Sequence, residues 1–98
     1  MRITEYQQDA IVQAVRDVDP RAKIWLFGSR ADDTKKGGDI DVAILSSTID
    51  LMQKIKIHRD ILDKIGDQKI DIVISKDGSD PFFQFAKETG IPIYGNYE

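Results

Sequence analysis

Three aspartates stand in apolar segments that would otherwise read as buried strands. Asp39 and Asp41 are one residue apart in GDIDVAIL, and Asp71 lies between two isoleucines in KIDIVIS. Side chains alternate between the faces of a strand, so Asp39 and Asp41 share a face with Cα atoms roughly 6.6–6.8 Å apart. Carboxylate oxygens suit Mg²⁺ or Mn²⁺ rather than Zn²⁺. Two such ions about 3.5–4 Å apart promote in-line displacement at phosphorus.

A simpler interpretation is that Asp39 and Asp41 end a strand and face solvent, which alternation alone would favour. It does not explain Asp71 in a second apolar strand, or the Gly-Ser pair upstream of the first two aspartates. Two like charges 4 Å apart repel by about 1 kcal/mol in water and about 4 kcal/mol at an effective dielectric of 20. A bound cation would offset that repulsion, so we favour the metal site.

Gly28 and Ser29 follow an apolar run and supply a second feature of the site. Glycine lets the backbone turn sharply and lets a ligand approach closely, and successive N–H groups in a turn bind anions. Nine residues separate Ser29 from Asp39. The two meet only if the strand that contains Asp41 runs antiparallel to the strand before Gly28. Arg30 adjoins the turn and is a candidate for contact with a nucleoside triphosphate.

A small mixed sheet would bring these residues together. Short apolar runs rich in strand formers predict three strands, over residues 22–27, 39–45 and 69–75. The second and third are joined by a predicted helix over residues 51–65, and such a crossover makes two strands parallel. The three aspartates then fall at the same end of the sheet, near Ser29.

Helical periodicity and cap residues predict three helices. The first begins at Thr4, which can form a capping box with Gln7, and ends before Pro20. The second ends at Gly66 and carries its apolar residues on one stripe, formed by Leu51, Ile55, Leu62 and Ile65.

The third predicted helix opens at Asp80 and Pro81 and ends at Gly90. The segment IPIY that follows is expected to form an edge strand, because Pro92 cannot donate to a central ladder. The order α-β-β-α-β-α-β indicates an α/β (α+β) fold, a small mixed β-sheet with helices packed on it.

The length and charge of the chain argue against several classes of protein. The 98 residues suit a single domain, 1–98, and leave nothing over for a second one. A net charge of -3 argues against direct binding of DNA, which needs clustered basic residues. The apolar runs are too short to span a membrane, and the first residues lack a signal-peptide core. We therefore expect a cytoplasmic protein without a membrane partner.

The segments FGSRA, GDIDVAI and KIDIVI together resemble the nucleotidyltransferase superfamily of the DNA polymerase beta type. The short length points to its minimal branch, the minimal nucleotidyltransferase (MNT) domains that are paired in prokaryotes with helical HEPN partners. The resemblance is strong over residues 22–75 and extends to the order of the helices and the IPIY tail. The loop departs from the family pattern, because it is one residue shorter than often found and Gly38 replaces a frequent serine.

The resemblance implies a nucleotidyltransferase fold and a role for each motif residue. Asp39 and Asp41 would hold divalent ions, two Mg²⁺ or alternatively Mn²⁺, and Asp71 would complete the second metal site and act as, or orient, the general base. Gly28 and Ser29 would bind the phosphates of the nucleotide. The reaction would move AMP from ATP to a hydroxyl, with pyrophosphate leaving, and the acceptor would be a tyrosine of a HEPN toxin.

Two other functions remain open at this point. The chain could be an antitoxin that only binds its partner, or the catalytic subunit of an enzyme that adenylylates a small molecule such as an aminoglycoside. No arginine stands five residues before His58, so the Arg-x4-His motif of the HEPN toxin cannot form there. The sequence leaves open the nucleotide preference and whether homo- or hetero-oligomers form.

Two surfaces are expected to dock a partner that carries the acceptor. The helix over residues 51–65 is apolar over a wide arc, because Ile57 and Ile61 add to its stripe. Phe82, Phe83 and Phe85 are too close together along one helix to face a single core. His58, the only histidine, is expected at the rim of such a surface rather than as a metal ligand.

Overall fold

Helices and strands follow one another in the predicted order. The computed structural model describes residues 3–28, 38–66 and 68–94. Its helices are α1 (Glu5–Val18), α2 (Leu51–Ile65) and α3 (Pro81–Thr89), and its strands are β1 (Lys23–Phe27), β2 (Ile40–Leu45), β3 (Ile70–Ser75) and β4 (Ile91–Tyr94). Each of the first three strands begins one residue later than predicted. Within the described ranges, no helix has the length and apolar character needed to cross a membrane.

Local hydrogen bonds set the helix ends. Thr4 and Gln7 form the predicted capping box at the start of α1. Asp50 and Gln53 form a second one at the start of α2, which the sequence analysis did not identify. The carboxylate of Asp80 accepts from the backbone N–H of Phe83 and begins α3. These bonds satisfy backbone donors that lack partners in the first helical turn.

The four strands form one mixed sheet in the order β3-β2-β1-β4. β1 is antiparallel to both β2 and β4, and β2 is parallel to β3. The antiparallel and parallel relations predicted for the first three strands are therefore confirmed. β4 lies at one edge of the sheet, as expected from Pro92, and β3 lies at the other.

Helices cover both faces of the sheet. α1 and α2 cover the face that carries the even-numbered residues of β1, β2 and β3, and the main core there includes Ile11, Val15, Ile24, Leu26, Ile40, Val42, Ile44, Ile57, Ile61 and Ile72. α3 covers part of the opposite face, where Trp25, Phe27, Ala43, Phe83 and Ala86 form a second core cluster. The Trp25 and Phe83 rings meet edge to face at 5.4 Å. The opposite face is the one on which the aspartates lie.

The stripe predicted for α2 is only partly correct. Ile57 and Ile61 are fully buried, and Leu62 and Ile65 pack against the core as expected. Leu51 is 70% exposed and Ile55 is 52% exposed. α2 packs mainly on α1, so the helix turns its Ile57 side inward and leaves its first two turns with an exposed apolar side.

A buried hydrogen bond ties α1 to the turn after β2. The Ser46 hydroxyl donates to the Asp19 carboxylate at 2.6 Å, and both side chains are buried. Burial by itself would raise the pKa of Asp19, but hydrogen bonds from Ser46, from the Arg21 backbone and from Thr48 outweigh it and lower that pKa. This link holds the end of α1 over the sheet.

Candidate active site

Asp41 and Asp71 lie opposite each other on neighbouring parallel strands. Their Cα atoms are register partners between β2 and β3, so both side chains leave the same face of the sheet. This is the common face that their positions in the sequence predict. The two residues stand at the beginning of their strands, and α3 covers the same face further along. Asp71 is exposed and Asp41 is half-buried.

The pair is electrostatically unfavourable. Burial raises the pKa of Asp41 above its ordinary value, and the charges of Asp71 and Asp39 and a hydrogen bond with the Asp71 carboxyl raise it further. Lys69 opposes these effects. A carboxyl group with a raised pKa next to a second acid is typical of functional sites rather than of structural ion pairs.

Asp39 immediately precedes β2, and its carboxylate forms an ion pair with a lysine. Its carboxylate lies 3.6 Å from Nζ of Lys69, and both side chains are substantially exposed. The backbone N–H of Ile40 donates to the carbonyl of Lys69 at 2.9 Å, which fixes the two strand starts side by side. The sequence analysis did not single out Lys69. Its position two residues before Asp71, and therefore on the same face, was the available signal.

Gly28 ends β1 in direct contact with Asp41. Its φ of 73° lies in the left-handed region, and a Cβ at this position would overlap the Asp41 carboxylate. Phe27, the residue before it, is the register partner of Asp41. Glycine is therefore required here both by the backbone angle and by the space that the carboxylate occupies. Ser29 and Arg30, the other predicted phosphate contacts, lie outside the described residues.

The carboxylates form a pair rather than a complete metal cage. Within the described ranges, no group of three or more His, Cys, Asp and Glu side chains is arranged to hold a metal ion. Mg²⁺ is commonly bound through one or two carboxylates while the phosphates of a substrate and water supply the remaining oxygens. The Asp41–Asp71 pair has the oxygen donors and the unbalanced negative charge that fit such an ion.

A groove begins at Asp71 and follows the outer edge of the described sheet. It has a volume of about 500 Å³ and lies between α2 and β3. Asp71 is in its wall with Ile70, Ile72 and Val73, and α2 contributes Leu51, Lys54, Ile55 and His58. His58 is half-buried in this wall, in keeping with the rim position expected for it. The groove thus connects the exposed apolar side of α2 to Asp71.

Comparison with known proteins identifies the family. Residues 10–98 match the family described as Polymerase beta, nucleotidyltransferase. The chain belongs to this nucleotidyltransferase family. The nucleotidyltransferase is also similar to a chain in the crystal structure of the toxin–antitoxin MntA–HepT, with a TM-score of 0.68 and 22% identity. That alignment covers 96% of this chain and 74% of the other and establishes a shared fold. No curated protein matches the chain.

Proposed function

We propose that this nucleotidyltransferase transfers AMP from ATP to a hydroxyl group of a partner protein in a reaction that depends on Mg²⁺. The observation that carries the proposal is the Asp41–Asp71 carboxyl pair, which is in register on parallel strands, with Asp41 beside Gly28. Family membership supports nucleotidyl transfer as the reaction type. The similarity to a toxin–antitoxin structure supports a HEPN-type toxin as the partner and an antitoxin role for this chain.

The three acidic residues together bind the divalent ion. Asp41 and Asp71 hold the divalent ion, and Asp39 joins them by turning away from Lys69, which its exposed 3.6 Å ion pair permits at little cost. A bound Mg²⁺ would neutralise charge on the phosphates and on the leaving pyrophosphate. Gly28, with no Cβ, leaves room for the Asp41 carboxylate at the end of β1, and the backbone there binds the phosphates of the nucleotide.

The transfer step is a displacement at the α-phosphorus of ATP, and Asp71 is the group at the site that accepts the proton. The acceptor hydroxyl oxygen attacks the α-phosphorus of ATP, and the bond from that phosphorus to the bridging oxygen of pyrophosphate breaks. The proton of the hydroxyl passes to the exposed carboxylate of Asp71. Positioning and electrostatic stabilisation carry most of the catalysis in phosphoryl and nucleotidyl transfer, so a small domain suffices for the chemistry.

The partner would dock on apolar side chains left outside the core. Leu51 and Ile55 on α2 are each more than half exposed, and so are Phe82 and Phe85 on α3. The Phe82 ring also meets Phe27 edge to face at 5.8 Å, close to the Asp41 end of the sheet. Phe83, by contrast, is buried against Trp25 and is not available to a partner.

The test is to incubate the purified chain with a purified HEPN-type toxin, ATP and Mg²⁺, and to measure the intact mass of the toxin. We expect a mass gain that corresponds to AMP, lost in Asp41→Asn and on removal of Mg²⁺. Asp63→Asn, an exposed acid on α2 away from the pair, serves as the control. Neutralisation of the toxin without any mass change, retained in Asp41→Asn, would instead support an antitoxin that only binds.

A further inference from the structure

The outer edge of β3 is a strand-pairing surface next to the proposed reaction centre. β3 pairs with β2 on one side and is the last strand of the described sheet on the other. Lys69 and Ser75 accept backbone hydrogen bonds from Ile40 and Ser46 of the β2 side, each at 2.9 Å. In a parallel ladder the N–H and C=O of a residue point to the same side, and this side alternates along the strand.

The backbone groups of β3 can therefore be assigned to its two sides. The odd-numbered residues 69, 71, 73 and 75 direct their N–H and C=O toward β2, so the even-numbered residues direct theirs outward. Ile70, Ile72 and Ile74 thus offer a row of donors and acceptors at the sheet edge. Ile70 and Ile72 also line the groove between β3 and α2. A polypeptide in the groove could pair with them as an added strand.

We propose that the groove between α2 and β3 binds the acceptor as an extended polypeptide segment that pairs with β3 and presents its hydroxyl side chain to Asp71. This inference rests on the proposed function for the identity of the reaction, but its binding step can be tested alone. The occupant is a segment of the partner protein, and not a small molecule, because the edge supplies backbone hydrogen-bond partners along three alternate residues.

The register of such a segment follows from the sheet. A guest residue opposite Asp71 shares its face of the sheet, which is also the face of Asp41. In an antiparallel guest that position is a non-hydrogen-bonded pair, with Cα atoms about 4.5 Å apart and side chains close together. A serine, threonine or tyrosine there would place its hydroxyl beside the carboxylates. The neighbouring guest side chains would turn toward Leu51 and Ile55, so they should be apolar.

The walls of the groove support the same occupant. Leu51 and Ile55 are exposed apolar side chains on α2, and Lys54 and His58 stand beside them as polar groups at the rim. The volume of about 500 Å³ falls within the roughly 300–1,000 Å³ of ordinary ligand sites. Asp71, the apolar wall and the outer edge of β3 in the described sheet therefore adjoin one another in one continuous groove.

The probe is a blocked seven-residue peptide with a central tyrosine flanked by alternating valine and threonine. Its matched control has the same side chains but carries N-methyl groups on alternate amides, which removes the donors that would pair with β3. Amide hydrogen exchange of the full chain is followed by NMR as either peptide is added. We expect exchange at Ile70, Ile72 and Ile74 to slow at least tenfold with the first peptide and to stay unchanged with the second.

Two variants of α2 test the groove wall. Ile55→Glu should weaken binding of the peptide at least tenfold while leaving the affinity for ATP with Mg²⁺ unchanged. Met52→Glu is the control, because Met52 is 72% exposed on the same helix but does not line the groove. Equal weakening by both substitutions, or equal binding of the N-methylated peptide, would overturn the inference.

Transfer to the peptide separates this inference from the proposed function. AMP transfer to the tyrosine of the first peptide alone supports both. Slowed exchange at the outward amides without transfer supports the groove and contradicts the proposed reaction. Transfer to both peptides at equal rates supports the reaction and overturns the groove. Concentration-dependent protection of these amides without any peptide would mean that a second copy of the chain occupies the edge, which also overturns the inference.

Discussion

Asp41 and Asp71 are register partners on two neighbouring parallel strands, so their carboxyl groups lie on the same face of the sheet. The native state would be more stable if only one of the two positions carried a carboxylate. Burial together with the charges of Asp71 and Asp39 raises the pKa of Asp41. Residues selected for activity often reduce the stability of the native state in this way.

Asp41→Asn should therefore raise the free energy of unfolding at pH 7, by about 1 kcal/mol, because it removes one of two mutually repelling charges. With a raised pKa in the folded state, wild-type Asp41 binds its proton more tightly when folded. Wild-type stability thus increases as pH falls through the folded pKa toward the unfolded value near 3.8, so the advantage of the variant should shrink over that range. Urea unfolding from pH 7 to pH 4 measures this.

Asp63→Asn is the control for that experiment, since Asp63 is exposed on α2. A surface substitution of this kind should change stability by less than about 0.5 kcal/mol at either pH. If Asp41→Asn were less stable than the wild type at pH 7, the carboxyl pair would be a stabilising structural feature, and the case for a functional site would weaken.

Binding of Mg²⁺ and ATP should depend on each carboxylate of the proposed site. Calorimetry of the wild type is expected to show weak binding of Mg²⁺ alone and tighter binding when ATP is present, because the triphosphate supplies further oxygen ligands. Asp39→Asn and Asp41→Asn should each lower the affinity for the Mg²⁺–ATP pair at least tenfold. Equal heats for the wild type and Asp39→Asn would show that Asp39 takes no part in the site.

Gly28→Ala should impair both stability and activity. The φ of 73° disfavours any residue with a Cβ, and that Cβ would displace the Asp41 carboxylate. We expect a loss of about 1 kcal/mol or more in the free energy of unfolding and at least a tenfold loss of AMP transfer. Gly38→Ala is a matched control in the same region, since a Cβ there meets nothing within 4 Å. Equal effects of the two substitutions would contradict the contact between Gly28 and Asp41.

The buried bond between Ser46 and Asp19 should contribute to stability without a role in transfer. Asp19→Asn is expected to lower the free energy of unfolding by about 1–3 kcal/mol at pH 7, because a charge-assisted bond is lost. The lowered pKa of Asp19 means that its contribution is fully present above pH 3.8 and is lost as pH falls through the folded value. The difference in the free energy of unfolding between Asp19→Asn and the wild type should therefore diminish below pH 3.8.

Asp17→Asn provides the comparison, because Asp17 is an exposed residue of α1 that accepts a hydrogen bond from Gln13 at 2.7 Å. Chemical denaturation of both variants and the mass assay for AMP transfer together distinguish a role of Asp19 in stability from a role in transfer. A loss of transfer in Asp19→Asn greater than its loss of folded protein would contradict a purely structural role.

Much of this architecture could be predicted from the sequence because its signals are local. The Thr4–Gln7 box and the Asp80 cap span three residues, and their hydrogen bonds form within one helical turn. The two-residue period of a strand places Asp39 and Asp41 on one face wherever the strand lies. A helix between β2 and β3 makes the strands parallel, so the end of the sheet that holds Asp71 also followed from the order of elements.

The tertiary structure decided the features that depend on residues distant in sequence. Periodicity outlined an apolar arc on α2, but packing against α1 determined that Ile57 and Ile61 are buried while Leu51 and Ile55 line a groove. The contact between Gly28 and Asp41 likewise depends on how two strands meet in space. Local chemistry sets the type and direction of each element, whereas contacts between elements determine which side chains are buried and which remain free to bind.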